Sequence, residues 1–401
     1  MVSFDTATVE SGKMKEKFRV ALGLGQGVKT ALSQGVVYQM GEQKATTMLK
    51  LQQMYNNAGS TEMYVRIATK RYCDGDYGED QEHGELHNLE TSLEYCRVAA
   101  SLNHPINPEI MCAYTYMDVG IQQAPNFKEY PEITQPDKDW SEYTLEEMCN
   151  VLEQYGELVA REVLATGCSV EYWNLGNEAN YGFAGVNLGL KTIVNPELEF
   201  VSMKHVYMKH IDMDSIDADF LKENLWNYNG QMMAALANGI RKVHADAKFA
   251  THIAGLFNKE DSVTYFNTLL ENGIELEQAG ISIYPTNNVA ERLLDYMDRL
   301  KNVIKAIVSK CNLTVFIAEY GYPSEEMKGF AWNWKVEGYQ LTEADQAKFT
   351  ADFIAWCKEN GGTGIRPWAP DLLGLWEPMS LFSYDEATKI AKAKPVMEVL
   401  K

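Results

Sequence analysis

Two glutamates stand at the ends of apolar runs that lie far apart in the chain. The run that begins at Val170 ends in Asn177 and Glu178, and the run that begins at Thr314 ends in Glu319. An apolar run that ends abruptly in a carboxylate is typical of a buried strand that delivers an acidic side chain to the open end of a barrel. Two such carboxylates can face one another across the barrel mouth. That arrangement predicts double-displacement hydrolysis of a glycosidic bond, which needs a proton donor and an attacking carboxylate.

Three further polar side chains are predicted to support this pair. Asn177 can hold a sugar hydroxyl beside Glu178, which supplies the proton from a partly desolvated site. Arg66 and Tyr284 each stand at the exit of a predicted strand. A positive charge and a phenol donor there would both keep Glu319 ionised. The alternatives are that Arg66 only fills the barrel interior and that Tyr284 is a core aromatic.

The remaining pattern predicts eight strands separated by helix-length segments, with no Pro-, Gly- or Ser-rich linker between two halves. We therefore expect an α/β fold, a single-domain (β/α)8 TIM barrel over residues 1–401. A doubly wound open sheet is the alternative, but it would not place functional side chains at so many strand ends. The predicted strands are 18–27, 63–68, 109–114, 173–178, 249–254, 279–285, 314–319 and 372–377, and the predicted helices are 40–57, 89–102, 144–163, 232–243, 263–270, 293–308 and 342–357.

Residues 179–224 interrupt this rhythm after the fourth strand. An insertion at that point belongs on the active-site face, so it is predicted to shape the substrate cleft. Within it, the acid-rich residues 210–219 loosely resemble a calcium loop, but the glycine at the sixth position and the terminal glutamate are absent. We therefore predict a solvated loop there, and we expect no metal and no cofactor.

Composition narrows the class of partner. The net charge of -20 argues against nucleic acid and anionic membranes, whose binding depends on clustered Lys and Arg. No apolar run reaches the roughly 18 residues that span a bilayer. The N-terminus shows no signal peptide, so we expect a cytoplasmic protein, or an extracellular or cell-surface one if a leader was removed. The seven cysteines show no Cys-x-x-Cys spacing and are expected to be buried thiols. Oligomeric state stays open.

Five short motifs together resemble a known family. They are Trp-Asn-Leu-Gly-Asn-Glu at 173–178, Thr-His-Ile-Ala at 251–254, Gly-Ile-Ser-Ile-Tyr-Pro at 280–285, Ala-Glu-Tyr-Gly-Tyr-Pro at 318–323 and Leu-Trp-Glu-Pro at 375–378. This order is similar to that of the retaining (β/α)8 glycosidases, and most similar to glycoside hydrolase family 53, the endo-β-1,4-galactanases. The resemblance implies that Glu178 is the acid/base and Glu319 the nucleophile. It also implies a cleft lined by Arg66, Asp118, Asn177, His252, Tyr284, Trp376 and Glu377.

The implied substrate is β-1,4-galactan or arabinogalactan, and two alternatives stay open. Where the family carries His-Tyr-Ser-Asp on its third strand, this chain has residues 113–118, which end in Met117 and Asp118. An endo-β-glucanase or β-mannanase with the same catalytic groups is therefore the second reading. A carbohydrate-binding barrel without catalysis is the third, although both carboxylates are present. Trp376 is predicted to be the floor under the sugar, because Trp173 lies too far before Glu178.

Overall fold

Eight parallel strands form the centre of the molecule, each followed along the chain by helical segments. The computed structural model describes residues 17–25, 27–71, 87–112, 124–187, 218–254, 258–287, 292–329 and 332–401. The strands are β1 (Arg19–Val20), β2 (Met63–Ala68), β3 (Ile106–Met111), β4 (Trp173–Leu175), β5 (Phe249–Ile253), β6 (Leu276–Ile283), β7 (Thr314–Tyr320) and β8 (Gly362–Pro367).

The strands close into a barrel. Their order follows the sequence from β2 to β8, and β8 then pairs with β1. The remaining gap between β1 and β2 is closed by a parallel bridge from Ala21 to Glu62, with a hydrogen bond from the Leu22 N–H to the Glu62 carbonyl. The predicted (β/α)8 TIM barrel is thus confirmed, and the open-sheet alternative is wrong.

The helices surround the barrel where the apolar periodicity predicts them. They are α1 (Val28–Ser33), α2 (Met48–Asn57), α3 (Leu89–Ser101), α4 (Leu145–Ala165), α5 (Asn227–Val243), α6 (Lys259–Glu271), α7 (Leu293–Ala306) and α8 (Glu343–Glu359). At the start of α4, Thr144 and Glu147 each bond the other's backbone N–H, which satisfies two donors that would otherwise lack a partner. The apolar face of each long helix packs against the outward-facing residues of the strands in one continuous core.

Several element predictions need correction. The first strand, predicted over 18–27, covers only Arg19–Val20, and the fourth, predicted over 173–178, ends at Leu175. Residues 374–376, which were predicted as part of the last strand, form a 3-10 helix. The last strand is β8, which follows α8 along the chain. Residues 40–45 belong to a hairpin, so the helix predicted over 40–57 begins only at Met48, where the Thr47 side chain caps it. The third strand begins at Ile106 and its described part ends at Met111, while the predicted residues 113–114 lie outside the described chain. The predicted insertion is described at 179–187 and 218–224, and its other residues lie outside the described chain.

The two ends of the described chain meet in a small sheet beside the barrel. The strand Val37–Met40 pairs with Gln43–Ala45 on one side and with Ile390–Ala393 on the other, and Phe382–Asp385 completes the sheet. Buried Asp371 anchors the segment that follows β8, because its carboxylate accepts the Gly25 N–H and the Tyr55 hydroxyl. Within the described residues, no helix is both long and apolar enough to cross a membrane.

Candidate active site

The turn that carries Glu178 has two residues in the left-handed region. Gly176 has φ 76° and Glu178 has φ 45°, and Glu178 then starts a short 3-10 helix, Ala179–Tyr181. A side chain at Gly176 would press against Phe183 and Ala179, so glycine is needed there. Glutamate disfavours a positive φ, and such strained backbone concentrates at functional sites. The turn therefore holds a nearly fully buried Glu178 at the carboxyl end of β4.

A bulge aims Glu319 into the barrel. The pairing of β6 with β7 is regular up to Ile281 with Ile317, but Ser282 then pairs with Glu319, so β7 contains one extra residue. Such a bulge re-aims the side chains that follow it. Phe316 and Ala318 pack in the barrel interior with Ala21. Glu319, adjacent to Ala318, reaches the same interior instead of pointing outward towards the helices.

Three donors hold the carboxylate of Glu319. Arg66 on β2 and Arg366 on β8 approach Oε1 with their Nη2 atoms at 3.4 and 3.2 Å. The Tyr284 hydroxyl donates to Oε2 at 2.7 Å. Two cations and a phenol favour the ionised form of a carboxylate. The same Arg66 Nη2 atom also donates to Asn177 Oδ1 at 3.1 Å, which ties the Glu178 turn to Glu319.

A second, fully buried carboxylate lies beneath the first. Glu109 on β3 accepts bonds from the Tyr64 hydroxyl at 2.7 Å, Arg66 Nε at 3.1 Å and Arg366 Nη1 at 2.9 Å. Burial raises the pKa of Glu109, but Arg366, Arg66 and the other partners outweigh burial and hold this pKa at about 2. Each arginine therefore bridges two carboxylates.

His252 connects this buried layer to the Glu178 turn. Its Nε2 atom accepts the Glu178 N–H at 3.2 Å, so in the neutral ring the hydrogen is on Nδ1, which lies 3.8 Å from Glu109 Oε2. Burial lowers the pKa of His252 to about 3. Gly280 is required beside it, since a Cβ there would lie 2.4 Å from the His252 Cβ.

Four partly exposed aromatic rings extend from Glu319. Tyr284, whose hydroxyl binds Glu319, contacts Trp332 with 4.9 Å between ring centroids and Trp368 at 6.3 Å. Trp376 closes the group, at 5.6 Å from Trp332 and 4.8 Å from Trp368. Aromatic faces of this kind bind the apolar face of a sugar ring.

Some of the predicted site residues lie next to the two glutamates, and others do not. Arg66, Asn177, His252 and Tyr284 converge on the two glutamates, as described above. The Glu377 carboxylate instead accepts the Tyr384 N–H, and Asp118 lies outside the described residues. Trp173 points away from the cleft, because its indole N–H donates to His244.

Sequence reasoning missed five residues of the site. The sequence contained a signal for β8 and therefore for Arg366. In such folds a strand follows its helix within a few residues. Gly361 and Gly362 lie just after the end of α8 and mark the turn into that strand. A charged residue inside a strand pattern, as at Glu109, is a weaker signal. The missed residues are Tyr64, Glu109, Trp332, Arg366 and Trp368.

The described residues contain no group of three or more His, Cys, Asp or Glu side chains arranged to hold a metal ion. The acid-rich residues 210–219 and Cys73 lie outside the described chain. The other six cysteines are free thiols, and all except the partly exposed Cys149 are buried. This agrees with the expectation of buried structural cysteine for the described part of the chain.

Comparison with known proteins gives one family and one fold. The model of the family described as Glycosyl hydrolase family 53 matches residues 129–398. A search of curated proteins found no match. Among solved structures, the Ignisphaera aggregans GH53 catalytic domain is 16% identical with a TM-score of 0.67, over 97% of each chain. A structure of two fungal beta-1,4-galactanases is 13% identical with a TM-score of 0.65, over 95% of this chain and 98% of that one. GH10 from Paenibacillus barcinonensis reaches 0.51 at 14% identity, over 96% and 94%. At these identities the structures share the barrel fold.

Proposed function

The chain belongs to glycosyl hydrolase family 53 and is thus a glycoside hydrolase, and we propose that it cleaves internal linkages of β-1,4-galactan or arabinogalactan with retention of configuration. The single observation that carries the mechanism is the bridge made by Arg66 Nη2, which touches both Asn177 and Glu319. Because Asn177 precedes Glu178, this bridge holds the turn that carries Glu178 beside Glu319.

Glu319 is the nucleophile in this proposal. The donors on both of its oxygens favour its ionised form and fix the direction of attack. In the first step, Glu319 forms a bond to the anomeric carbon while the bond from that carbon to the glycosidic oxygen breaks. The product is a covalent glycosyl-enzyme whose configuration is inverted.

Glu178 is the acid and then the base. It gives its proton to the departing glycosidic oxygen in the first step. In the second step a water molecule attacks the anomeric carbon, Glu178 takes a proton from that water, and Glu319 leaves as a carboxylate. Two inversions at the same carbon give net retention. Neutral His252 supports this role by holding the backbone N–H of Glu178.

A neutral polymer suits the rest of the cleft. The four aromatic rings beside Glu319 offer apolar faces, and a protein with a net charge of -20 repels acidic polymers. Trp376 provides one of these faces, on the 3-10 helix Gly374–Trp376 rather than on a strand. Since a polysaccharide does not cross membranes, we place the action on intact polymer outside the cell.

The decisive experiment measures hydrolysis of galactan, arabinogalactan, mannan, xylan and β-glucan, with mapping of the products. Galactan should give the highest rate and short internal fragments. Highest activity on glucan or mannan would reject galactan and favour the second substrate class. Binding without hydrolysis of any of these polymers would favour a carbohydrate-binding barrel.

Variants of the two glutamates test the chemistry. Glu178→Gln and Glu319→Gln should each lose at least about a thousandfold in rate while remaining folded. Glu62→Gln is the matched control, because Glu62 is also buried in the barrel but faces Arg19 and Asn107 at the opposite end. Activity near that of the wild type in either glutamine variant would remove that residue from the mechanism.

A further inference from the structure

Glu109 is a buried anion to which the reaction above assigns no step. We propose that Glu109 is a positioning residue whose charge sets the pH range in which Glu178 and Glu319 carry out the reaction. This inference rests on the catalytic roles of the two glutamates proposed above. Glu109 never touches substrate, since it is fully buried beneath Glu319, so it acts through its neighbours.

The two arginines each contact both Glu109 and Glu319. Arg66 gives Nε to Glu109 and Nη2 to Glu319, at 3.1 and 3.4 Å. Arg366 gives Nη1 to Glu109 and Nη2 to Glu319, at 2.9 and 3.2 Å. The four groups form a closed arrangement of alternating charge, in which each guanidinium is shared between two carboxylates. Glu109 therefore fixes the orientation in which both arginines meet the nucleophile.

Glu109 also balances the charge of the two arginines. Arg66, Arg366 and Glu109 are all more than nine-tenths buried, and buried charges are tolerated when they are paired. With Glu109 present, two cations face two anions. Without it, two cations would face Glu319 alone and would hold its electron pair too tightly for attack. Glu109 thus moderates the field that the arginines exert on the nucleophile.

His252 connects Glu109 to the acid/base Glu178. The protonated Nδ1 of His252 faces Glu109, and its Nε2 accepts the Glu178 N–H. A negative charge on Glu109 selects this tautomer of the ring and so keeps Nε2 available as an acceptor. The same negative charge disfavours a second charge on Glu178, which must begin the reaction protonated.

The ionisation of the pair depends on groups from six strands or strand ends. Arg66 and Tyr64 come from β2, Glu109 from β3 and Asn177 from the turn after β4. His252, Tyr284 and Arg366 come from β5, the end of β6 and β8. Among these described neighbours Glu109 supplies the negative charge, so its removal should act on both carboxylates in the same direction.

The test is the pH dependence of kcat/KM in Glu109→Gln. Its acidic limb reports the nucleophile and its alkaline limb reports the acid/base. Loss of a negative charge a few ångströms away makes both carboxyl groups easier to ionise, so both limbs should move to lower pH by about one unit. Arg366→Gln should move both limbs to higher pH. The double variant restores the charge balance and should bring the limbs back towards their wild-type positions.

Controls separate this role from mere structural support. Glu62→Gln removes another buried carboxyl group of the barrel and should leave both limbs in place. A Glu109→Gln enzyme that loses rate while its limbs stay in place would overturn the proposal. If Glu109→Gln does not fold, Arg366→Gln decides, because unmoved limbs there would also overturn it. Full activity in Glu178→Gln or Glu319→Gln would instead overturn the proposed function itself.

Discussion

The phenol of Tyr284 offers the sharpest test of how the nucleophile is kept ionised. Its hydroxyl donates to Glu319 Oε2 at 2.7 Å, and a hydrogen bond to a charged group contributes roughly 1.5–3 kcal/mol. Tyr284→Phe removes this donor and keeps the ring that contacts Trp332. Since about 1.4 kcal/mol corresponds to one pH unit, the acidic limb of kcat/KM should move to higher pH by about one to two units.

The sign of this shift follows from which form the donor stabilises. The phenol binds the carboxylate, so its loss makes proton uptake easier and inactivates the enzyme at a higher pH than in the wild type. The assay is kcat/KM on soluble galactan between pH 3 and 9. Tyr320→Phe is the matched control, because the Tyr320 hydroxyl lies next to Thr350 behind the same strand. An acidic limb that moves equally in both variants, or in neither, would refute the reasoning.

Three other expectations follow from the site and its supports. In Glu178→Ala, azide should give a retained β-glycosyl azide, whereas in Glu319→Ala it should give the inverted α-azide, and NMR distinguishes these products. Trp376→Ala should lower kcat/KM on the polymer by roughly tenfold, and added salt should change substrate binding little, because stacking rather than charge supplies the affinity. Burial raises the pKa of Asp371 to about 7 from 3.8, so the folded state keeps a proton that the unfolded chain has lost. The contribution of Asp371 to stability should thus be full below about pH 4 and should fall by about 4 kcal/mol by the time the pH has risen through 7. Urea unfolding of Asp371→Asn should lack this slope.

Much of the barrel could be predicted because its elements have a strong local pattern. The capping box at Thr144 and the apolar face of α4 are local features, and the structure reproduces both. β8 has neither a long apolar run nor alternation, because it contains Gly364, Arg366 and Pro367. The more apolar segment 372–377 was therefore predicted to be the last strand, although Trp376 lies on a 3-10 helix there.

The charge pairs of Glu109 could not be predicted because its partners are distant in sequence. Glu109 meets Arg366 across 257 positions and Arg66 across 43. A charge inside a strand pattern indicates only that some partner exists, since an unpaired buried charge is too unfavourable. The identity of that partner depends on which strands close the barrel, and β1 meets the start of β2 through the bridge from Ala21 to Glu62.

The position of Glu319 shows how far alternation can mislead at a functional strand end. With Phe316 and Ala318 in the barrel interior, strict alternation would turn Glu319 outward with Ile317, into the apolar layer beneath the helices. A carboxylate there would lack both arginines. The extra residue in β7 reverses the direction just before Glu319, and the interior charges can then hold it. The bulge therefore lets the Glu319 carboxylate form ion pairs with the two arginines. These ion pairs offset the loss of regular strand pairing at the bulge.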